Sequence, residues 1–334
     1  MNRRFSALML SLIIISMTLS GCISSEETED REIVDSTPVG PEYFEEGDYT
    51  CIEHDDTDRC WMTHIPENLD LDLPVPLIVD IHGWGGTAGG QIYVSDFNNI
   101  ADEYGAIVVY PAAVEPVRGW NAGWCCGSHD DLGFILRLVD IATQIHQIDT
   151  NRIYATGWSN GCAMSQMLAM KASDVFAAIG CMAQYLNTDY DSIYTPIPVI
   201  EVHGMLDQFV AYGTSASHAI QNPGSPSQAF ETGAIQNMHD WGEYNECLGS
   251  AETFEVNVLY SIHGFSDCQD GAEVRLMSIY AAQHNPYAKD PESDGTILGE
   301  ILIGTQGLVQ SSYIVWDFIS QYSKATDEVE EIIF

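Results

Sequence analysis

Residues 152–162 read Arg152-Ile153-Tyr154-Ala155-Thr156-Gly157-Trp158-Ser159-Asn160-Gly161-Cys162, and this stretch decides the fold. Arg152–Thr156 predicts a strand, and a helix from Ser159 to about Lys171 is expected directly after it. Between them stands Gly157-Trp158-Ser159-Asn160-Gly161, a G-x-S-x-G pentad. A strand that reverses straight into a helix brings the backbone close to itself. Glycine on both flanks of the turn removes the Cβ atoms that would collide. Ser159 is therefore expected in a strained conformation, its hydroxyl above the sheet and the helix N–H groups aimed at developing negative charge. The plainer alternative is a serine that only caps the helix.

Outward from the pentad, short apolar runs alternate with helical patterns. Pro76–Ile81 ends in His82-Gly83-Trp84-Gly85-Gly86 and predicts a buried strand running into a tight loop. Ala106–Tyr110, stopped by Pro111, predicts another. Phe134, Ile135, Leu138, Val139, Ala142 and Ile145 recur at helical spacing. Ala177–Cys181, Pro198–Val202 and Val274–Tyr280 predict further strands, and Val315–Tyr322 a closing helix. Strands separated by helices predict an α/β fold with a mainly parallel central sheet and helices on both faces. Ligands of such sheets bind beyond the carboxyl ends of the strands, so chemistry is expected there.

A serine hydroxyl is a weak nucleophile and needs a base, which in turn needs an orienting acid. On a nucleophile turn of this kind the chain order is Ser, then Asp or Glu, then His. The strand at 198–202 leads into His203-Gly204-Met205-Leu206-Asp207, placing Asp207 in a loop as the acid. Later histidines are His218, His239, His263 and His284. His239 is expected on a helix and His263 in a hairpin, whereas His284 directly follows strand 274–280 in Gln283-His284-Asn285-Pro286. His284 is the expected base, with His263 in reserve. The oxyanion hole is expected from the backbone N–H groups of Trp84 and Asn160, and Trp84 is expected to line the acyl pocket or to pack locally. His82 precedes the nucleophile and is read as a loop brace.

These residues, together with Tyr110-Pro111, Gly119-Trp120-Asn121-Ala122-Gly123, Cys125-Cys126-Gly127, Asp130-Asp131-Leu132-Gly133-Phe134, Ile148-Asp149 and Trp316-Asp317-Phe318, form an ordered set. The set resembles the secreted polyhydroxybutyrate depolymerase and feruloyl esterase family of the α/β-hydrolase fold. The resemblance implies a carboxylic-ester hydrolase with Ser159 as nucleophile, Asp207 as acid and His284 as base, working through an acyl-enzyme without a metal or organic cofactor. The chain departs from that pattern at Cys162, where a glycine is usual, at Asn285-Pro286, where x-Trp-Pro usually follows the base, and at Trp84. Feruloyl or acetyl esters of polysaccharides and hydroxyalkanoate oligomers or polymers are the implied substrates. Because the sequence stops soon after the closing helix, soluble or oligomeric esters are favoured. The alternatives are a serine peptidase of the same fold and a catalytically silent surface binding protein.

The N-terminus carries a separate message. Asn2-Arg3-Arg4 precedes an apolar stretch from Leu8 to Leu19, too short for a spanning helix of roughly 20 residues. Leu19-Ser20-Gly21-Cys22 resembles a lipobox, so residues 1–21 are expected to be a lipoprotein-type signal peptide and Cys22 the lipidated residue. Residues 22–46 read as an acidic flexible tether, 47–323 as the catalytic domain and 324–334 as an acidic C-terminal tail. An extracellular protein held at the cell surface by its lipid, or a secreted one, follows.

Export favours disulfides. With Cys22 set aside, Cys51, Cys60, Cys125, Cys126, Cys162, Cys181, Cys247 and Cys268 form an even set. Cys51 with Cys60 closes a short hairpin-like loop and Cys247 with Cys268 clamps a longer excursion. Sequence leaves the pairing of Cys125, Cys126, Cys162 and Cys181 open. Zinc is not expected, since no C-x-x-C occurs. Asp290-Pro291-Glu292-Ser293-Asp294-Gly295 opens like a calcium loop but has Ile301 at the twelfth position, so it reads as a solvated acidic loop.

Eleven Lys+Arg face 49 Asp+Glu, a net charge of −38, with 46% hydrophobic residues. The apolar content excludes a disordered chain. The charge excludes a nucleic-acid partner and, apart from the N-terminal lipid, an anionic membrane surface. So acidic a surface is expected of a protein adapted to saline surroundings.

Overall fold

The computed structural model of the chain describes residues 42–70, 72–123, 125–207, 209–213, 233–288 and 308–324. The signal peptide, Cys22, the tether up to residue 41, His218, the acidic loop at 290–295 and residues 325–334 lie outside the described residues.

One sheet of 11 strands organises the domain. Its parallel centre consists of β4 (Val75–Ile81), β5 (Ile107–Pro111), β6 (Ile148–Gly157), β7 (Ala178–Met182), β8 (Val199–Gly204) and β11 (Val274–Ile279), in the order β5-β4-β6-β7-β8-β11. An antiparallel meander, β1 (Phe44–Glu46), β2 (Tyr49–His54) and β3 (Thr57–His64), adds to the β5 edge. The opposite edge is finished by β10 (Tyr260–Phe265) and β9 (Glu252–Val256), also antiparallel. β1 takes residues 44–46, the last three of the stretch read as a tether.

Helices cover both faces, as alternating strands and helices require. Helices α3 (Asp131–Ile145), α4 (Asn160–Lys171) and α5 (Ala234–Tyr244) supply Phe134, Leu138, Met164, Leu168 and Trp241 to a core that includes Leu77, Val79 and Ile81 of β4. Helices α1 (Ala88–Ser95), α2 (Phe97–Tyr104) and α6 (Ser311–Ile319) pack Val94, Phe97, Ile100, Val315 and Ile319 against Ile78, Tyr110 and Tyr154 on the other face. The alternation along β4 is thus divided between two cores, each fully buried aliphatic contributing about 1.5–3 kcal/mol. The closing helix begins at Ser311 rather than Val315, because the Ser311 hydroxyl bonds the Pro286 carbonyl at 2.9 Å and holds this end against the loop that follows β11.

Register sets the position of the site. Ile81 pairs with Gly157, Met182 with Val202, and Gly204 with Ile279. The segments after β4, β6, β8 and β11 therefore leave the sheet at one rim, bringing the regions of residues 84, 159, 207 and 284 together.

Among the described residues there are four disulfides: Cys51–Cys60, Cys125–Cys126, Cys162–Cys181 and Cys247–Cys268. The first joins directly paired residues of β2 and β3. Cys162–Cys181 fastens the start of α4 to β7, and Cys125–Cys126 joins adjacent residues.

Candidate active site

The turn between β6 and α4 has the geometry that its glycines foretell. Ser159 sits at φ 55° and ψ −121°, a region that costs a non-glycine residue about 1–3 kcal/mol. A Cβ at Gly157 would lie 2.6 Å from the Ile81 carbonyl oxygen, and one at Gly161 would fall on that same oxygen. The strained serine is fixed by its neighbours: its N–H donates to Met182 O at 2.8 Å, and Trp158 N–H donates to Ile81 O at 3.1 Å.

Ser159, His284 and Asp207 meet at this rim. His284 Nε2 lies 2.9 Å from Ser159 Oγ, and His284 Nδ1 lies 2.7 Å from Asp207 Oδ2. All three side chains are buried. An ionised carboxylate only accepts, so Asp207 takes the Nδ1 proton and leaves Nε2 to accept from the serine hydroxyl. Burial alone would raise the Asp207 carboxyl. The nearby His203 imidazole and the hydrogen bond from His284 outweigh it and hold the group well below the usual carboxylate range. Its other oxygen accepts from Phe209 N at 2.8 Å and Val210 N at 2.9 Å. The imidazole is held on both sides. Trp158 donates its indole N–H to His284 O at 2.7 Å, and the Phe209 ring lies 5.0 Å from it, centroid to centroid.

Beside the serine runs the loop after β4, with the Cβ position of Gly83 only 3.3 Å from Ser159 Cβ. His82 braces this loop. Burial pushes its imidazole down to about 4, so the ring is neutral, donating from Nδ1 to Gly83 O at 2.7 Å and accepting at Nε2 from Ala113 N at 3.2 Å. Among the described residues no hydrogen bond engages the backbone N–H of Trp84 or of Asn160. Asn160 is the first residue of α4, where an N–H has no partner within the helix. Both groups thus stand next to Ser159 with a donor to offer.

The reserve base, His263, is not at this rim. It lies within β10, opposite Leu276 of β11, and shares a hydrogen bond of 3.1 Å with Thr253. His239 lies on α5 against Phe265. Among the described residues, the group of metal-ligand types Glu46, Cys51 and Cys60 has both sulfurs in a disulfide, which leaves no thiolate to bind an ion.

Three features escaped the sequence reading. The sequence predicts a strand over 198–202 with His203 in the loop that follows, but β8 continues through Gly204, and His203 is wholly buried beside Glu201. Two ionisable residues at i and i+2 in an otherwise apolar strand are the signal that marks them. The Asn160 side chain bonds the backbone of Trp120 at both ends, and its amide nitrogen lies 3.8 Å from Cys125 Sγ. The Cys125–Cys126 bridge thereby borders the site.

Comparison with known proteins finds esterases among the relatives of this chain. Feruloyl esterase B of Piromyces equi is 26% identical over 265 residues, covering 77% of this chain and 44% of its own. Feruloyl esterase B of Thermothelomyces thermophilus is 26% identical over 208 residues, covering 61% and 62%. The chain therefore spans less than two thirds of either relative. The acetyl xylan esterase from Aspergillus awamori superposes with a TM-score of 0.52 at 16% identity, over 77% of this chain and 99% of that one, and shares its α/β-hydrolase fold. The family described as Esterase PHB depolymerase matches residues 59–232, more than half of the chain, and the protein belongs to that family.

Proposed function

We propose that the protein is a serine hydrolase of carboxylic esters, with Ser159 as nucleophile, His284 as general base and Asp207 as the acid that orients it. The observation that carries this reading is the His284 imidazole, within hydrogen-bond distance of Ser159 Oγ on one side and of Asp207 Oδ2 on the other. As the serine oxygen attacks an ester carbonyl, His284 takes its proton at Nε2 and Asp207 stabilises the imidazolium. The N–H groups of Trp84 and Asn160 receive the oxyanion, a contact worth about 10²–10³ in rate per donor. His284 then protonates the leaving alcohol, and a water molecule activated by the same imidazole releases the acid from the acyl-enzyme.

The substrates we favour are feruloyl-type esters linked to polysaccharide, with acetyl esters and hydroxyalkanoate oligomers as further members of the class. Two relatives bear the name feruloyl esterase B. Two large aromatic side chains are exposed on the loops that form this rim, Phe209 at 48% with its ring 5.0 Å from that of His284 and Trp84 at 60% on the loop after β4, and these suit a flat aromatic acyl group. We further propose that residues 1–21 are removed, that Cys22 carries a lipid and that the segment from 22 up to β1 tethers the catalytic domain at the cell surface. Four disulfides accord with an oxidising location outside the cytoplasm.

A hydrolysis panel of methyl ferulate, p-nitrophenyl acetate and a 3-hydroxybutyrate oligomer tests the reading. Turnover of at least one ester is expected, with Ser159→Ala reducing it more than about 10³-fold. Unchanged turnover in that variant would refute the assignment.

A further inference from the structure

Strand β8 carries Glu201 and His203 two residues apart, so both side chains lie on one face of the sheet. They are 2% and 0% exposed. Placing two ionisable groups there is costly unless each finds a partner. Each does. His203 Nδ1 lies 2.7 Å from Glu201 Oε1, and His203 Nε2 lies 2.9 Å from Val210 O and 3.5 Å from Asp207 Oδ2. The second oxygen of Glu201 accepts from Asn237 Nδ2 at 2.6 Å, and Asn237 Oδ1 accepts from Leu186 N at 3.0 Å, which fixes the amide orientation.

Donor counting fixes one ring proton. The Val210 carbonyl can only accept, so Nε2 of His203 carries a proton. Burial raises the Glu201 carboxyl and its bonds to His203 and Asn237 lower it; with Glu201 ionised it only accepts, Nδ1 carries the second proton, and the ring is an imidazolium between two carboxylates. Burial alone would lower the His203 imidazole, but its bonds to Asp207 and Glu201 and the charge of both carry it up to about 10. The Tyr185 ring stacks on the imidazole at 5.4 Å with planes 11° apart, a face-on contact that suits a cation, and the Tyr212 ring meets it edge-on at 5.8 Å. Among the described residues, the titratable groups facing His203 are thus Glu201 from its own strand, Asp207 from the following loop, and these two tyrosines. The Tyr185 phenol bonds the Ala211 carbonyl, and burial drives its ionisation far above neutrality.

We propose that Glu201 and His203 are positioning residues that act through Asp207, holding a buried positive charge against the oxygen that accepts from His284 and thereby tuning the basicity that Asp207 confers. The proposal rests on the reading of Ser159, His284 and Asp207 given above. At 3.5 Å the contact between His203 and Asp207 is electrostatic rather than a full hydrogen bond. It lies inside the protein, where such interactions are weakly screened. The cation keeps Asp207 ionised and offsets part of the negative potential felt by His284. Without it, His284 holds its proton more tightly and becomes available as a base only at higher pH.

The test uses the full chain with Glu201→Gln and His203→Gln, and pH profiles of kcat/KM on an ester that the wild type turns over. Glu201→Gln preserves shape and an acceptor for His203 but removes the anion that keeps it charged. Both variants are expected to move the acid limb upward by about half to one pH unit and to lower kcat about tenfold at neutral pH with little change in KM. A merely structural role would lower kcat or the melting temperature without moving the limb, and that result overturns the proposal. A second measurement needs no folded variant in the active series: imidazole nitrogen NMR of the wild-type chain is expected to show His203 doubly protonated at pH 8, and a neutral ring there also overturns it. Ser159→Ala separates the two ideas. If it keeps turnover, the catalytic reading fails; if it is inactive and the limb stays fixed, only the role of Glu201 and His203 fails.

Discussion

The side-chain amide of Asn160 bonds both backbone groups of Trp120, accepting from its N–H at 2.6 Å and donating to its C=O at 3.0 Å. Asn160, which follows Ser159, thus spends its side chain on the 119–122 segment, and among the described residues its backbone N–H is in no hydrogen bond. Trp120 is itself fully buried, and its indole N–H donates to His82 O at 2.8 Å. Through two residues, the loop after β4 and the start of α4 are bound to one another.

Asn160→Ala keeps the backbone N–H of residue 160 but strands the buried N–H of Trp120, whose carbonyl still accepts from Ala122 N at 2.9 Å. A stranded buried polar group costs about 1–3 kcal/mol. The variant is expected to unfold several degrees below the wild type and to lose roughly tenfold in kcat, because the two sides of the oxyanion site are no longer held in register. Thermal denaturation and steady-state kinetics on one preparation check both effects; a variant with normal stability and normal kcat would contradict this account.

Much of this rim is legible in the sequence. The central strands announce themselves by apolar runs, the elbow by its glycines, and His284 by following β11 at once. The edges are not legible, for a physical reason. β9 is exposed along its whole length and β2 and β3 interleave Glu53, Asp58 and Arg59 with buried residues, so neither run shows a clean apolar period. Pairing and the Cys51–Cys60 bridge hold them instead. α1 was invisible because Gly89 and Gly90 weaken its helical pattern; its start is fixed by Thr87, whose hydroxyl accepts from Gly90 N at 3.0 Å. His203 was misplaced because a histidine before a glycine reads as loop, whereas its charge partners lie on β8 itself and on the loop that follows.

Trp84 offers an exposed aromatic face on the loop after β4, one residue from Gly83 beside Ser159, and it does not stand alone. The Cβ position of Gly119 lies 2.7 Å from Trp84 Cδ1 and 2.8 Å from Cys126 Sγ, so the indole and the Cys125–Cys126 bridge both close on Gly119. An aromatic acyl group stacking there gains about 1 kcal/mol beyond what an acetyl group can. Trp84→Ala is accordingly expected to raise KM for methyl ferulate five- to tenfold while changing KM for p-nitrophenyl acetate less than twofold. Equal losses on both esters would remove Trp84 from acyl recognition.

Asp80 supplies a pH dependence of stability that is separate from the catalytic groups. It is fully buried on β4, bonded at Oδ1 by Gln91 at 2.8 Å, while Oδ2 has no partner among the described residues. Burial raises its carboxyl to about 7, against weaker lowering by Ser95 and Gln91. A group that holds its proton more tightly when folded stabilises fully below its unfolded pKa of about 4 and loses that contribution as pH rises through about 7. Asp80→Asn cannot ionise, and its amide can donate to the unpartnered hydroxyls of Ser95 or Thr156. Urea unfolding at pH 5 and pH 8.5 is expected to show the variant gaining about 2–4 kcal/mol on the wild type between the two. Parallel curves for the two proteins would mean that Asp80 is ionised at no cost.

Few acids on this surface have a cation to meet. The ion pairs of Lys and Arg among the described residues are Arg59–Asp131, Arg118–Glu115, Arg137–Asp140, Arg152–Asp149, Lys171–Asp191 and Arg275–Glu273. Set against 49 Asp+Glu in the chain, they leave most carboxylates repelling one another. Repulsion between exposed charges reaches about 10 Å at 0.1 M salt and about 3 Å at 1 M, so added salt relieves the folded state more than the expanded one. The melting temperature is expected to climb on the order of 5 °C between 0.1 and 2 M sodium chloride, with potassium chloride giving the same rise. Chloride is only weakly excluded from protein surfaces, which separates screening from the general stabilisation that sulfate produces. A melting temperature that falls across this range would place the carboxylates in bonds that salt weakens, and the saline adaptation read from the composition would have to be given up.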